Sequence, residues 1–202
     1  MIAYKFRTTQ ELHLVIDILL NQRLYCCPSI ALNDIREGDA GSGEGHAQTS
    51  ELRDYVYEVR KRVKELRVLS LTKSFDNHLL WAHYAGGYSG MVIEVEVDDA
   101  DVDEVVYSND TIFLGGLVDE TSPEDAAKQM LIRKYTDWQY EREVRIITRT
   151  EFYKLKRPIS RVIVGSRMNP VLIDALRIIC DHIGIAIQRM VVGNGEIYPD
   201  VI

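Results

Sequence analysis

The sequence predicts a single α+β domain over residues 1–202, with a mixed or mainly antiparallel sheet and flanking helices. Apolar runs at Ile2 to Arg7, Val68 to Thr72 and Met91 to Val97, and the β-branched run Ile159 to Val164, read as strands. Between them lie stretches whose apolar residues recur every three or four positions, as amphipathic helices require. The order of the two is irregular, with strands too scattered for a doubly wound sheet. At 202 residues the chain can bury a sizeable core without disulfides or metal.

The totals narrow the function classes. A net charge of -7, from 31 acids against 24 Lys and Arg, gives no bulk attraction to nucleic acid. Cys26, Cys27 and Cys180 are odd in number and two are adjacent, which argues against a disulfide framework and for a reducing cytosol. No run resembles a signal peptide or reaches bilayer length, so a cytoplasmic protein with no membrane partner is expected.

Taken in order, Ile2 to Arg7 is a first strand. Thr8 and Glu11 form a capping box for a helix running to Asn21. Leu24 to Cys27 is a second strand, stopped by Pro28. Residues 37–50 are rich in Gly, Ser and Glu and read as a mobile loop within the domain. Leu52, Tyr55, Val56, Val59, Val63 and Leu66 line one face of a helix whose other face is basic. Val68 to Thr72 places Ser70 and Thr72 on one face of a strand.

Asp76 caps a short helix to Tyr84, ended by Gly86-Gly87. Met91 to Val97 is a strand, the acidic run Asp98 to Glu104 a solvated turn, and Val105 to Tyr107 a further strand. Ser122-Pro123-Glu124-Asp125 opens a helix. The chain ends in a strand, helix, strand unit: Ile159 to Val164, a helix opened by Asn169-Pro170 and capped by Gly184, and Ile185 to Val192.

The stretch Trp138 to Ile147 organises the rest. If extended, it puts Glu141, Glu143 and Arg145 on one face, and two carboxylates that close raise one pKa unless a cation offsets them. Arg145 is the candidate cation, and a charged strand with a local ion pair is the plainer reading. Other chemistry is weakly signalled. The Gly165 to Asn169 turn before a helix suits a phosphate, with Arg167 beside it, but lacks the glycine-rich fingerprints. His78 and His83 are five apart on a short helix and do not make a metal pair, so no metal is expected.

Arg7 on the first strand, Ser70 and Thr72 on a middle strand, and Glu141 with Glu143 on a late one resemble the arginine, serine-x-threonine, Glu-x-Glu order of the ADP-ribosyltransferases. That resemblance implies NAD as co-substrate, held by Arg7, Ser70 and Thr72 with His83, Tyr84 and Tyr88 lining the cleft. It makes Glu143 the carboxylate that steadies a cation-like ribose and Glu141 the residue that orients an acceptor. The gap from Thr72 to Glu141 is longer than that pattern usually shows.

A broader resemblance spans nearly the whole chain. Tyr4-Lys5-Phe6-Arg7, Leu24-Tyr25, Pro28 to Asp34, Leu69 to Thr72, Leu80-Trp81-Ala82-His83-Tyr84, Gly87 to Gly90 into Ile93-Glu94, Trp138 to Arg145 and Ile163-Val164-Gly165 carry it. On these residues the chain is similar to the mainly bacterial family called domain of unknown function 2971, which implies no settled activity. The alternative to an enzyme is a non-catalytic module that binds or senses a ligand or partner, in a setting such as phage defence. A third reading is a nucleic-acid enzyme with Arg157, Arg161 and Arg167 as a phosphate track.

Overall fold

The computed structural model describes residues 1–33 and 49–201. The expected mobile loop at 37–50 therefore falls almost wholly outside the described residues, as does Asp34. The first half of the chain forms β1 (Ile2–Arg7), α1 (Leu12–Asn21), β2 (Arg23–Tyr25), β3 (Cys27–Pro28), α2 (Ser50–Glu65), β4 (Arg67–Thr72), α3 (His78–Tyr84) and β5 (Met91–Glu96). Then come β6 (Asp103–Glu104), β7 (Val106–Tyr107), α4 (Pro123–Leu131), β8 (Arg133–Lys134), β9 (Glu143–Thr148) and β10 (Phe152–Lys154). The chain closes with β11 (Arg161–Val164), α5 (Pro170–Ile183), β12 (Ala186–Gly193) and β13 (Glu196–Val201).

The fold is α+β, built on one mixed sheet in the order β13-β12-β11-β5-β1-β4-β9-β6, with β3 also pairing β4. Within it the β11 and β12 pair is parallel, joined by the α5 crossover, and the other pairs are antiparallel. Two short ladders, β2 with β10 and β7 with β8, stand outside it.

Alternation along the strands divides the core between the two faces of the sheet. Ala3, Leu69, Leu71, Met91, Ile93, Val144 and Val162 pack on one face against Val15, Ile18 and Leu19 of α1 and Ile173, Leu176 and Cys180 of α5. The other face carries two separate clusters. Val68 packs there with Val59 and Val63 of α2 and Ala126, Ala127 and Met130 of α4. Phe6, Val92 and Ile163 pack with Leu80 and Trp81 of α3. Ser70, Thr72, Glu143 and Arg145 lie between these clusters, which leaves a polar strip flanked by two apolar ones.

Several local expectations are corrected. The capping box does not close: Glu11 precedes α1 without a side-chain cap bond, and Gln22 ends the helix in the left-handed region. The second strand breaks at Cys26, whose N–H donates to Glu151 O at 2.8 Å. Asn77 rather than Asp76 caps α3, accepting from Leu79 N at 2.8 Å. Asp103 and Glu104 of the acidic run form an edge strand on β9. The strand β13 follows an Asn194-Gly195 turn with both φ positive, a hairpin signal that the sequence carries openly.

Candidate functional site

The site begins with a fault in the sheet. β1 and β4 pair at Tyr4 and Thr72 alone and then diverge, and β3 takes the place beside Val68 and Arg67 that β1 leaves. The Ser70 carbonyl faces this gap and accepts from Lys5 Nζ at 2.7 Å. A cavity of about 170 Å³ opens there, bounded by Tyr4, Lys5 and Phe6 of β1 and Ser70, Leu71 and Thr72 of β4. Asn33, Leu80 and Tyr84, Lys134 of β8, and the carboxylates of Glu141 and Glu143 complete its wall.

Glu141 and Glu143 do meet, but not along one extended strand. Residues Thr136–Glu141 coil into a 3-10 turn, Arg142 takes a φ of 45°, and the strand starts at Glu143. The bend is pinned by Thr72 Oγ1 donating to Glu141 O at 2.6 Å and by Asn77 Nδ2 donating to Tyr140 O at 3.0 Å. Lys134 then bridges the two acids, its Nζ lying 2.6 Å from Glu141 Oε2 and 3.2 Å from Glu143 Oε2. Arg145 grips Glu143 with two prongs, Nε to Oε1 at 2.7 Å and Nη2 to Oε2 at 2.9 Å. All four charged side chains are buried, so two cations balance two anions out of water.

Arg145 is the offsetting cation expected of this pair, and Lys134 adds a second. Burial by itself would raise the Glu143 carboxyl. The charge and hydrogen bonds of Arg145, the charge of Lys134 and the Ser70 hydroxyl overcome that and hold it down at about 2. Burial pushes the Tyr84 hydroxyl up, and Glu141, to which it donates, pushes it further, so Tyr84 is a fixed proton donor on that acid. Asn33 Nδ2 donates to the Tyr84 hydroxyl at 2.8 Å. Burial and the neighbouring Arg7 bring the Lys5 amine down to about 8.

Of the residues expected at the site, Ser70, Thr72, Tyr84, Glu141 and Glu143 line this cavity. Arg7 does not. It leaves the opposite side of β1 from Tyr4 and borders another cavity, and of the β1 residues on that side only Lys5 reaches the first cavity, at the gap beside β4. His83 is exposed beside the site, its ring 6.4 Å from that of Tyr84 and 6.2 Å from that of Tyr140. Tyr88 points away and its hydroxyl meets His78 at 3.2 Å.

Sequence reasoning missed Lys134, Lys5 and Asn33. Lys134 is seven and nine residues from the acids it bridges, which is neither a strand nor a helix spacing that brings side chains together. Lys5 did leave a signal, since a charge inside an alternating apolar strand has to find a polar partner.

The remaining residues singled out in the sequence make contacts within the fold. Three N–H groups of the Gly165 turn bond within the chain: Gly165 N donates to Gly90 O at 2.8 Å, Arg167 N to Tyr88 O at 3.0 Å and Met168 N to Gly165 O at 3.1 Å. A Cβ at Gly165 would lie 2.0 Å from Tyr88 O, which is why the residue is glycine. Of the three arginines of the expected phosphate track, Arg161 pairs with Glu94 at 2.7 Å and Arg157 with Glu96, while Arg167 lies 5.3 Å over the Tyr88 ring. Among the described residues no group of three or more His, Cys, Asp or Glu is placed to hold a metal, and no helix is long and apolar enough to cross a membrane. No family model, curated protein or solved structure matches the chain.

Proposed function

We propose that the chain belongs to the family called domain of unknown function 2971, and that its cavity is the NAD site of an ADP-ribosyltransferase-like enzyme. The observation that carries this reading is the convergence of Ser70, Thr72, Glu141 and Glu143, drawn from distant parts of the sequence, on one cavity wall. A carboxylate that stabilises a ribosyl cation has to be ionised and fixed in advance, and Glu143 is both.

In this reaction the bond between ribose C1′ and the nicotinamide nitrogen breaks, and nicotinamide leaves with the electron pair. Glu143 faces the positive charge that develops on the ribose, and an acceptor oxygen or nitrogen then bonds to C1′ and loses its proton. Glu141, braced by Tyr84 and Lys134, orients that acceptor. Lys5 joins Lys134 as a cation of the cavity wall, in place of Arg7. Ligand sites for whole cofactors run to about 300–1,000 Å³, so 170 Å³ suits the nicotinamide and ribose end of the dinucleotide.

Calorimetry with NAD on the wild type, Ser70→Ala and Lys5→Met tests the reading. Saturable binding weakened about tenfold in either variant supports it, as expected for loss of one buried polar contact. Absence of binding at millimolar NAD, with the variants still folded, removes it.

A second reading rests on the same salt bridges. A closed network in which every acid has a cation is also how a structural polar core is built. On that reading the cavity belongs to a binding or sensing module without chemistry, and NAD is neither bound nor cleaved.

A further inference from the structure

The displaced Arg7 leads to a separate site. Along β1, Ala3, Lys5 and Arg7 alternate with Tyr4 and Phe6; Lys5 reaches back through the gap beside β4 to the Glu143 cavity, whereas Arg7 stays on the face that carries α1. Arg7 there borders a cavity of about 590 Å³ together with His13 and Asp17 of α1, Arg23 and Tyr25 of β2, Glu151, and Phe152 of β10. Its Nε is buried with no hydrogen-bond partner among the described residues, and none of them forms an ion pair with it.

A guanidinium held in this way is unfavourable. Burial brings down its pKa, and the charges of Glu11 and of Cys27 act against that without pairing it. Two carboxylates border the groove and neither pairs with Arg7: Glu151 is exposed at its rim, and Asp17 is already used. Asp17 accepts from Arg23 Nη2 at 2.8 Å, Arg23 Nε at 3.1 Å and Asn21 Nδ2 at 2.8 Å. Arg23 is fixed a second time by lying 3.8 Å over the Phe152 ring. Arg7 therefore remains the cation of this groove that lacks an acceptor among the described residues, and the groove is open enough to admit one.

We propose that this groove is an oxyanion site in which Arg7 takes a phosphate or carboxylate group, with His13 and Tyr25 at its edge. The planar fork of a guanidinium matches the paired oxygens of either group, and an anion would satisfy the orphaned donor and the charge together. The site lies across the sheet from the Glu143 cavity and does not depend on what that cavity binds.

The test is calorimetry on the full chain with inorganic phosphate and, separately, with acetate. The wild type should bind at least one of them saturably, and the one that binds identifies the group. Arg7→Met should weaken that binding about tenfold or more, Arg7→Lys should retain part of it, and Glu143→Gln should leave it unchanged. Because Arg7 lies in a strand, the ring resonances of His13 in the wild type give a reading free of any folding defect: they should shift during the same titration. No saturable binding of either anion, binding unaltered in folded Arg7→Met, or binding lost in folded Glu143→Gln would each overturn the proposal.

Discussion

At the scale of single residues the site is defined by Glu143 and the cations that hold it. Its carboxyl is held at about 2 against an ordinary 4.5, so it contributes stability that is complete above pH 4.5 and is lost as the pH falls from there toward 2. The difference corresponds to roughly 3 kcal/mol. Urea unfolding between pH 7 and pH 3 should show a steep loss in the wild type that is much flatter in Glu143→Gln. Lys5 acts in the opposite sense. Its amine is brought from 10.5 down to about 8, so its cost is present in full below pH 8 and is relieved as the pH rises toward 10.5. Stability of the wild type relative to Lys5→Met should therefore rise across that window.

Arg145→Met leaves Glu143 buried with half of its compensation and should cost about 3–5 kcal/mol, read as a fall in the unfolding midpoint. Glu141, Glu143 and Arg145 could be found from spacing because they are near neighbours. Lys134 and Lys5 could not be assigned to them, because a 3-10 turn and a gap in the sheet bring these groups together, and neither has a periodic signature.

At the scale of elements, the site depends on how α3 and the turn after β8 are tied down. Asn77 both caps α3 and holds the Tyr140 carbonyl. Asn77→Ala should therefore lower stability by about 1–2 kcal/mol and loosen the bend that presents Glu141, detectable as increased amide exchange over residues 136–142. The loop after α3 is packed more tightly still. Gly165→Ala would drive a Cβ to 2.0 Å from Tyr88 O and should cost about 3 kcal/mol or more, measured by denaturant unfolding.

The longer elements were legible because their patterns are local. The Ser122 cap, the Pro123 start and the Gly184 stop all stand where the residue types put them. The misplaced boundaries have physical reasons. The strand expected at Leu24 to Cys27 is divided because Arg23–Tyr25 pairs with β10 while Cys27–Pro28 pairs with β4, a choice of partners that no local pattern encodes. Alternation fits an extended stretch from Trp138, yet the left-handed Arg142 breaks it one residue before the strand.

At the scale of the whole molecule, one sheet serves two faces of different character. One face is a continuous apolar core under α1 and α5, and the other is divided by a buried polar strip that opens into the cavity. The sheet class could be read from the sequence, but the parting of β1 from β4 could not, because it depends on β3 entering between them. That parting decides the function proposed here. It lets Lys5 reach through the gap to the Ser70 carbonyl and the cavity wall, while Arg7 borders the separate groove. The most direct measurement is nicotinamide release from NAD by the wild type beside Glu143→Gln, with circular dichroism showing both folded. The account predicts slow but definite release by the wild type and a loss of about 100-fold or more in the variant, the scale on which electrostatic stabilisation of a transition state acts. Release that is absent from the wild type, or equal in both proteins, would contradict it and leave the buried carboxylates as a structural network.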